Sequence, residues 1–124
     1  MGPSVSREIA SPPTVVWDLL THVAAWPEWG PSVAGATVPG GVVRAGARGT
    51  VRTAVGVSLP FEVTHFEEGR RWAWSVAGVP ATDHRVRPTA GGCVVTFGVP
   101  WWAPGYLAVC AVALRRIERL AAGA

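Results

Sequence analysis

Among the three histidines of the chain, His84 has the surroundings that favour a chemical role. It alternates with Asp83, Arg85 and Arg87 along a run typical of a strand, and successive side chains of a strand point to opposite faces. Placing the three charged side chains in solvent puts His84 inside the fold. A neutral imidazole there can anchor a polar group of a ligand, act as a general acid or base, or pack as a core ring with one hydrogen bond.

The orientation of His65 depends on which face of its strand is buried. If Phe61 and Val63 face inward, His65 joins them; if Glu62 and Phe66 face inward instead, His65 is a surface residue. Burying the Glu62 carboxylate without a partner would cost several kcal/mol, which favours the first arrangement. A β-bulge would allow Phe61, Val63 and Phe66 to share one face. The sequence does not decide between the inward and the outward orientation of the His65 side chain.

The short motifs of common catalytic and cofactor-binding centres are missing from the sequence. It contains no GxSxG, HExxH or CxxC, and neither GxGxxG nor GxxxxGK[ST]. The adjacent carboxylates Glu67 and Glu68 fall in a predicted turn, which argues against a paired-carboxylate mechanism. Cys93 and Cys110 form no metal-ligand spacing with the histidines. We therefore expect no cofactor and no metal ion.

The composition is apolar and mildly basic. Hydrophobic residues make up 49% of the chain and charged residues 15%, less than the usual quarter. All 11 cationic residues are arginines, and they oppose 8 carboxylates for a net charge of +3. The arginines are dispersed along the chain rather than clustered, which argues against nucleic-acid binding.

Cysteine usage and the N-terminal sequence favour a cytoplasmic protein. Cys93 and Cys110 fall on a predicted strand and a predicted helix, where buried thiols behave as small hydrophobic groups. The N-terminus lacks the pattern of a secretory signal. The uncharged stretch from Phe97 to Leu114 is interrupted by Pro100 and Pro104, so we expect a strand end, a turn and a core helix there rather than a membrane span.

Periodicity predicts the order β-α-α-β-β-β-β-β-β-α. Ser11 can cap the first helix and Pro12 can fix its first φ. Leu107 and Leu114 belong to an apolar stripe at helical spacing that predicts a last helix over residues 104–121. Runs of β-type residues separated by glycine and proline predict seven strands. These cover residues 4–10, 36–43, 48–57, 59–66, 71–77, 82–87 and 93–99.

The segment IASPPTVVWDLLTHVAAWPEWGP, from Ile9 to Pro31, resembles the START-like (SRPBCC) superfamily and its polyketide cyclase/dehydrase family. The resemblance continues through FEVTHFEEGRRWAW, HRVRPTAGGCVVTF and the C-terminal helix. It implies an α+β helix-grip fold, in which a curved seven-stranded antiparallel sheet wraps around a long C-terminal helix and two short helices lie between strands 1 and 2. The length of the chain predicts that residues 1–124 form one such domain.

The family fold implies an internal pocket between the sheet and the C-terminal helix. Small side chains on that helix, including Ala111 and Ala113, leave room beneath it. Strand parity places Val95 and Phe97 on the inner face, and it places Trp72 and Trp74 together on what we take as the inner face. The full set expected to contact a ligand is Trp26, Trp29, Val33, Phe61, Val63, Phe66, Trp72, Trp74, His84, Val86, Val95, Phe97, Leu107 and Leu114.

We expect this pocket to bind a hydrophobic or aromatic small molecule or a lipid. The alternative is a polyketide aromatase/cyclase or dehydratase with His84 as general acid/base. Trp26 matches the tryptophan at the WPE corner of such cyclases. However, Val33, Thr64 and Phe66 stand where they tend to have a tyrosine, a serine and an arginine, and without the arginine the obvious electrophile is missing. The resemblance therefore favours binding over cyclisation.

Trp101 and Trp102 are expected to form an apolar contact. Adjacent residues of an extended segment face opposite ways, so one indole would close the pocket and the other would stay exposed. The exposed indole would lie against a membrane surface, another protein or a second copy of the chain. A third class of function, an adaptor or membrane-peripheral protein, would rest on this patch.

Overall fold

The computed structural model describes residues 2–124, and its helices lie near the two ends of the chain. Helix α1 covers Pro13–Thr21, α2 covers Trp26–Trp29 and α3 covers Leu107–Ala122. Short 3-10 segments lie at Val23–Ala25, Pro39–Gly41 and Pro104–Tyr106. The strands are β1 (Ser4–Ile9), β2 (Val33–Thr37), β3 (Arg48–Thr53), β4 (Ser58–Glu67), β5 (Arg71–Val76), β6 (Val79–Thr89) and β7 (Gly92–Gly98).

The seven strands form one antiparallel sheet in the order β1-β7-β6-β5-β4-β3-β2. Helix α3 packs against β1, β7, α1 and α2. Its inward stripe consists of Cys110, Ala113, Leu114, Ile117 and Ala121, all buried, at the spacing that an amphipathic helix requires. This architecture confirms the predicted α+β helix-grip fold.

Strand β2 is shorter and begins earlier than the sequence predicts. It ends at Thr37, because Gly40 and Gly41 take φ values of +73° and +74°, outside the extended region. Strand β6 begins at Val79, three residues before the predicted start, and follows a tight turn at Ala77 and Gly78. Both shifts matter for the site, because they bring Val33 and Val79 to one end of the sheet.

The start of α1 differs from the predicted cap. Pro12 occupies the N-cap position, and no side chain caps the helix. Ser11 lies one residue before the N-cap position and does not bond to the free amides of the first turn. Its side chain is buried at the edge of the core, with 7% exposed. The interpretation of Ser11 as the cap is therefore wrong, whereas Pro12 does fix the entry into the helix with φ of −58°.

A bulge in β4 determines where its side chains point. The pairing of β4 with β5 shifts between Val63 and His65, so Phe61, Val63 and Phe66 all contribute to the core side. His65 is exposed, and its Nε2 lies 2.7 Å from Oε2 of Glu67. The structure therefore places His65 on the surface, and Glu62 keeps its carboxylate near Arg48 in solvent.

The parity predicted for β6 and β7 agrees with the structure. Val95 and Phe97 are at most 2% exposed, and His84 is 3% exposed. On the outer face, Asp83 accepts hydrogen bonds from Nε of Arg71 and Nε of Arg85, each at 2.9 Å. Asp83 of β6 thus pairs with Arg85 of the same strand and Arg71 of β5 on the outer face, while the imidazole of His84 is enclosed.

Two long-range hydrogen bonds fix the helices to the sheet. Nε of Arg7 on β1 donates to Oε1 of Glu118 on α3 at 2.8 Å. Nε1 of Trp17 on α1 donates to Oε2 of Glu68, in the turn after β4, at 2.7 Å. Within residues 2–124, no helix is both long enough and apolar enough to cross a bilayer.

Candidate ligand-binding site

Aromatic rings fill most of the space between the sheet and α3. Trp72 stacks on Trp26, with ring centroids 5.6 Å apart and planes 7° from parallel. His84 also stacks on Trp72, at 4.0 Å and 18°. Trp74 meets Trp26 and Phe61 edge-on at 5.3 and 5.2 Å. Edge-to-face and offset-stacked pairs of this kind add to the free energy gained by burial. We call this cluster of Trp26, Phe61, Trp72, Trp74 and His84 the aromatic floor of the site.

A chain of hydrogen bonds crosses this cluster and engages both nitrogens of His84. Nε1 of Trp74 donates to Oγ1 of Thr82 at 2.9 Å. The Thr82 hydroxyl donates to Nε2 of His84 at 3.2 Å, and Nδ1–H of His84 donates to the carbonyl oxygen of Trp72 at 3.1 Å. Since the Trp72 carbonyl can only accept, His84 carries its proton on Nδ1.

The environment of His84 keeps it neutral. Burial lowers its pKa from 6.5 to about 4, and this effect exceeds the opposite influences of the Trp72 carbonyl and of Asp83. A neutral imidazole satisfied at both nitrogens is stable in an apolar interior, because no buried charge has to be compensated. At neutral pH, His84 therefore joins the aromatic floor as a polar but uncharged group.

A small inner cavity of about 40 Å³ remains beside the aromatic floor. Trp72, Thr82 and His84 line it from the sheet, and Cys110 and Ala113 line it from α3. Trp26, Trp29 and the start of β2 close it from the side of the short helices. Among the described residues that line this cavity, none carries a formal charge at neutral pH.

A larger cavity of about 480 Å³ opens at the end of the sheet where β3, β5 and β7 finish. Its walls are apolar apart from a few hydroxyl groups, and within residues 2–124 its lining includes no Asp, Glu, Lys or Arg. We call this volume the mouth cavity. Its lining consists of Ser32, Val33, Val51, Thr53, Ala54, Val55, Trp74, Val76, Val79, Pro80, Ala81, Thr82, Pro100, Trp102, Ala103 and Tyr106.

Five residues line both the inner cavity and the mouth cavity: Ser32, Val33, Trp74, Thr82 and Tyr106. The hydroxyl groups of Ser32 and Tyr106 are hydrogen-bonded to each other across this boundary. The two cavities are therefore neighbours that share one wall.

The residues expected from the sequence to contact a ligand divide into two sets. Trp26, Trp29, Val33, Trp72, Trp74, His84 and Phe97 line the inner cavity, and Val33 and Trp74 also line the mouth. The remaining seven line neither of these cavities and lie in or against the core: Phe61, Val63, Phe66, Val86, Val95, Leu107 and Leu114. Phe66, for example, packs edge-on against Trp17 at 5.9 Å.

The space predicted beneath the small side chains of α3 is mostly filled. Ala113 borders the inner cavity, but the stacked rings of Trp26, Trp72 and His84 occupy the volume that its small side chain leaves. Of these two cavities, the one large enough for a ligand is the mouth cavity, which lies farther out. Ligand sites usually start at about 300 Å³, which the mouth cavity exceeds and the inner cavity does not approach.

Several lining residues were missed by the sequence analysis. Thr82 could have been found, because it lies two residues before His84 on the same strand and the same parity places it inside. Tyr106, the single tyrosine of the chain, precedes α3 and gave no periodic signal. Val79, Pro80 and Ala81 were missed because the predicted strand started too late.

The exposed apolar residues of the structure gather at the mouth. Trp101 is 76% exposed and Trp102 is 52% exposed, so both indoles are in solvent rather than one. Trp102 lines the mouth cavity, as expected for the indole that closes the pocket. The turns at this end carry all the large apolar side chains that are exposed within residues 2–124: Val55, Val57, Val79, Trp101, Trp102 and Tyr106.

Comparisons with known proteins identify the fold and the family. Among solved structures, protein MLL2253 from Mesorhizobium loti is 18% identical, with a TM-score of 0.78 over 95% of this chain and 94% of that one. The AHSA1-like protein from Aeromonas hydrophila is 18% identical, with a TM-score of 0.73 over 99% and 94% of the two chains. XoxI from Bacillus cereus is 16% identical, with a TM-score of 0.73 over 98% and 96%. At these identities the similarity shows the fold.

Sequence comparison gives the family. No curated protein matches the chain significantly. A family described as polyketide cyclase / dehydrase and lipid transport matches residues 4–122, nearly the whole chain. The resemblance found at the WPEW corner is thereby confirmed, and the chain belongs to the polyketide cyclase / dehydrase and lipid transport family.

Proposed function

We propose that this protein binds a hydrophobic small molecule or lipid in the mouth cavity. The observation that carries the proposal is an open volume of about 480 Å³ whose lining, within the described part of the chain, is uncharged and largely apolar. Sites for small molecules are typically concave and apolar with a few polar groups, which Ser32, Thr82 and Tyr106 supply here. Membership in a cyclase and lipid-transport family supports the same class of ligand.

Binding is better supported than acid–base catalysis by His84. Its Nδ1 donates to the Trp72 carbonyl and its Nε2 accepts from Thr82, so both nitrogens are engaged inside the protein. A general acid or base must be within hydrogen-bond reach of the group it protonates or deprotonates. His84 would first have to release Thr82, and a pKa of about 4 makes it a weak base at neutral pH.

The same proposal includes a contact of the mouth with a lipid surface. The turns that surround the mouth expose two indoles and three valines. Trp and other amphipathic aromatic side chains favour the interface between water and a bilayer, and the exposed valines add apolar surface beside them. Docking the rim on a membrane would give an apolar ligand a route that avoids water.

The cytoplasmic location expected from the sequence stays part of the proposal. Cys93 and Cys110 are both free and buried, and burial raises the pKa of the Cys110 thiol to about 11. Unpaired inert thiols suit a reducing compartment.

Titration with the neutral dye Nile red tests the binding proposal. The wild-type protein should bind one dye molecule and transfer excitation energy from its tryptophans to it. Val79→Asp places a hydrated carboxylate at the mouth and should weaken binding at least fivefold, which corresponds to about 1 kcal/mol. The matched control is Ala90→Asp, in the turn at the opposite end of β6, and it should bind like wild type. Equal affinity of wild type and Val79→Asp would contradict a site at the mouth.

A further inference from the structure

A groove of about 700 Å³ lies on the outer face of the sheet, which points away from α3. We call this volume the outer groove. Small residues leave room for it: Ser4, Ala81, Thr96 and Gly98. Its charged lining residues are Arg71, Asp83, Arg85 and Arg87. The outer groove therefore differs from the inner cavity and the mouth cavity, whose described lining residues carry no charge.

The arginines of the outer groove repel one another, and Asp83 compensates only part of this repulsion. Arg71 and Arg85 are paired directly across β5 and β6, where like charges are destabilising. The Asp83 carboxylate accepts one hydrogen bond from Nε of each, at 2.9 Å. Arg87 lies two residues farther along β6 and forms no ion pair with any residue that the structure describes; Glu8, beyond β7 on the same face, does not line the groove. Three arginines against one carboxylate leave an excess of two positive charges.

Arg71 and Arg85 are held in place and keep most of their hydrogen-bond donors. Their bonds to Asp83 use only Nε, so the N–H donors on both Nη atoms of each guanidinium are not used by that carboxylate. The side chains are 31% and 44% exposed, and Arg87 is exposed as well. The planar fork of a guanidinium matches the oxygens of a phosphate group. The outer groove therefore has the charge and the donors that bind phosphate groups.

The two exposed indoles border the same groove. Trp101 lines the outer groove but not the mouth cavity, whereas Trp102 lines both. Pro80, Ala81 and Pro100 are also shared by the two volumes. The mouth cavity and the outer groove therefore meet at the turn that carries the indoles, and apolar and cationic side chains lie on either side of that turn.

We infer that the outer groove binds the headgroups of anionic phospholipids, with the outer face of the sheet lying on the membrane, Arg71, Arg85 and Arg87 against phosphate groups and Trp101 in the interface. This inference rests on the lipid contact of the proposed function and adds the lipid class and the face of the protein that meets it. An acidic protein would also satisfy the arginines. A lipid surface is favoured because tryptophan prefers the bilayer interface and because the mouth cavity opens at the same turn.

Sedimentation with two kinds of vesicle tests the inference. One kind is pure phosphatidylcholine, and the other is an equal mixture of phosphatidylcholine and phosphatidylglycerol. Wild-type protein should partition at least about tenfold more strongly onto the mixed vesicles, and added salt should reduce this preference. Arg87→Gln removes the arginine that has no ion pair, so it should lower partitioning onto the mixed vesicles about fivefold and leave partitioning onto phosphatidylcholine unchanged.

Arg115→Gln is the matched control, because it makes the same change of charge at an exposed residue of α3, on the other side of the sheet. It should partition onto the mixed vesicles within about twofold of wild type. Equal losses in the two variants would show an effect of net charge and overturn the inference.

Two outcomes with wild-type protein separate the inference from the proposed function. Equal partitioning onto the two kinds of vesicle would overturn the inference and leave the lipid contact intact. No sedimentation with either kind would overturn the inference together with that contact. Polyglutamate is the probe for an acidic protein: binding of polyglutamate that depends on Arg87, without a preference for the mixed vesicles, would overturn the inference in favour of such a partner.

A second measurement uses wild-type protein alone. In 1H–15N spectra with bicelles of the mixed lipids that carry a spin label on the headgroup, the backbone amide signals of Arg85 and Thr96 should broaden, because both residues line the outer groove. The signal of Arg115 on α3 should stay sharp. Broadening confined to Val55 and Val79, which line the mouth cavity and not the outer groove, would contradict docking through the outer face.

Discussion

Oγ1 of Thr82 lies 3.2 Å from Nε2 of His84, and this one hydroxyl joins the imidazole to the rest of the aromatic floor. It accepts a hydrogen bond from Trp74 on one side and donates to His84 on the other. Both residues are buried, with 9% of Thr82 and 3% of His84 exposed. A single buried hydroxyl thus satisfies two polar groups at the boundary between the inner and mouth cavities.

The first prediction concerns this hydroxyl. Thr82→Val keeps the shape of the side chain but leaves Nε1 of Trp74 without an acceptor and Nε2 of His84 without a donor. The free energy of unfolding should fall by about 1–3 kcal/mol, the usual cost of unsatisfied buried polar groups. Denaturant unfolding followed by circular dichroism measures it.

Thr96→Val is the control for that experiment. The Thr96 hydroxyl is bonded to Ser6 on the outer face of the sheet, at 2.7 Å and in contact with solvent. Its loss should change the free energy of unfolding by less than about 0.5 kcal/mol. Equal effects of the two substitutions would show that the hydrogen bonds of Thr82 to Trp74 and His84 do not stabilise the fold more than a surface hydrogen bond does.

The second prediction is a pH dependence of stability that comes from His84. Its pKa is lowered from 6.5 to about 4 in the folded protein. Between these values the unfolded chain binds a proton that the folded protein does not, so the free energy of unfolding should decrease as the pH falls from 6.5 toward 4. The slope is about 1.4 kcal/mol per pH unit.

Substitution of His84 separates this effect from other titrations. His84→Phe should lose that slope between pH 6.5 and 4.5, while His22→Gln, a change at an exposed histidine, should retain it. The pKa of Asp83 is lowered by its hydrogen bonds to Arg71 and Arg85, which outweigh its burial, so this carboxyl titrates below the window. An unchanged slope in His84→Phe would exclude His84 as its origin.

The third prediction separates the two exposed indoles. Trp101 is more exposed than Trp102 and does not line the mouth cavity. Trp101→Ala should lower partitioning onto phosphatidylcholine vesicles at least fivefold, or about 1 kcal/mol, without changing the affinity for Nile red. Trp102→Ala should weaken both. Sedimentation with vesicles measures partitioning, and wild-type protein that does not sediment would refute the lipid contact.

Much of the fold could be predicted from sequence because its determinants are local. The alternation of Val95 and Phe97 with the smaller side chains of Val94, Thr96 and Gly98 marks β7, and the apolar stripe that includes Leu114 marks α3. The ends of β2 could not be predicted, because the sequence around Gly40 and Gly41 is compatible both with a strand that continues through them and with a turn that ends the strand before them. The bulge after Val63 also left no unambiguous local signal, because its position depends on pairing with β5.

The candidate site was predictable only in part, because strand parity gives the face of a residue but not how the space on that face is filled. Parity placed His84 and Trp72 inside, and both lie there. It could not show that their rings stack on each other and on Trp26, closing most of the expected pocket. The mouth depends on Tyr106 and on the turn before Val79, which are positioned by tertiary contacts.

The indole signals of wild-type protein test the central claim, a ligand in the mouth cavity, most directly. The seven tryptophans give seven indole N–H resonances, which single Trp→Phe variants can assign. During a titration with the apolar probe 2-acetylnaphthalene monitored by 1H–15N spectroscopy, the signals of Trp74 and Trp102 should shift, because both side chains line the mouth. The signal of Trp17, which is bonded to Glu68 at the opposite end of the sheet, should stay in place. Saturable shifts of Trp17 with Trp74 and Trp102 unmoved, or no saturable shift at all, would contradict the account.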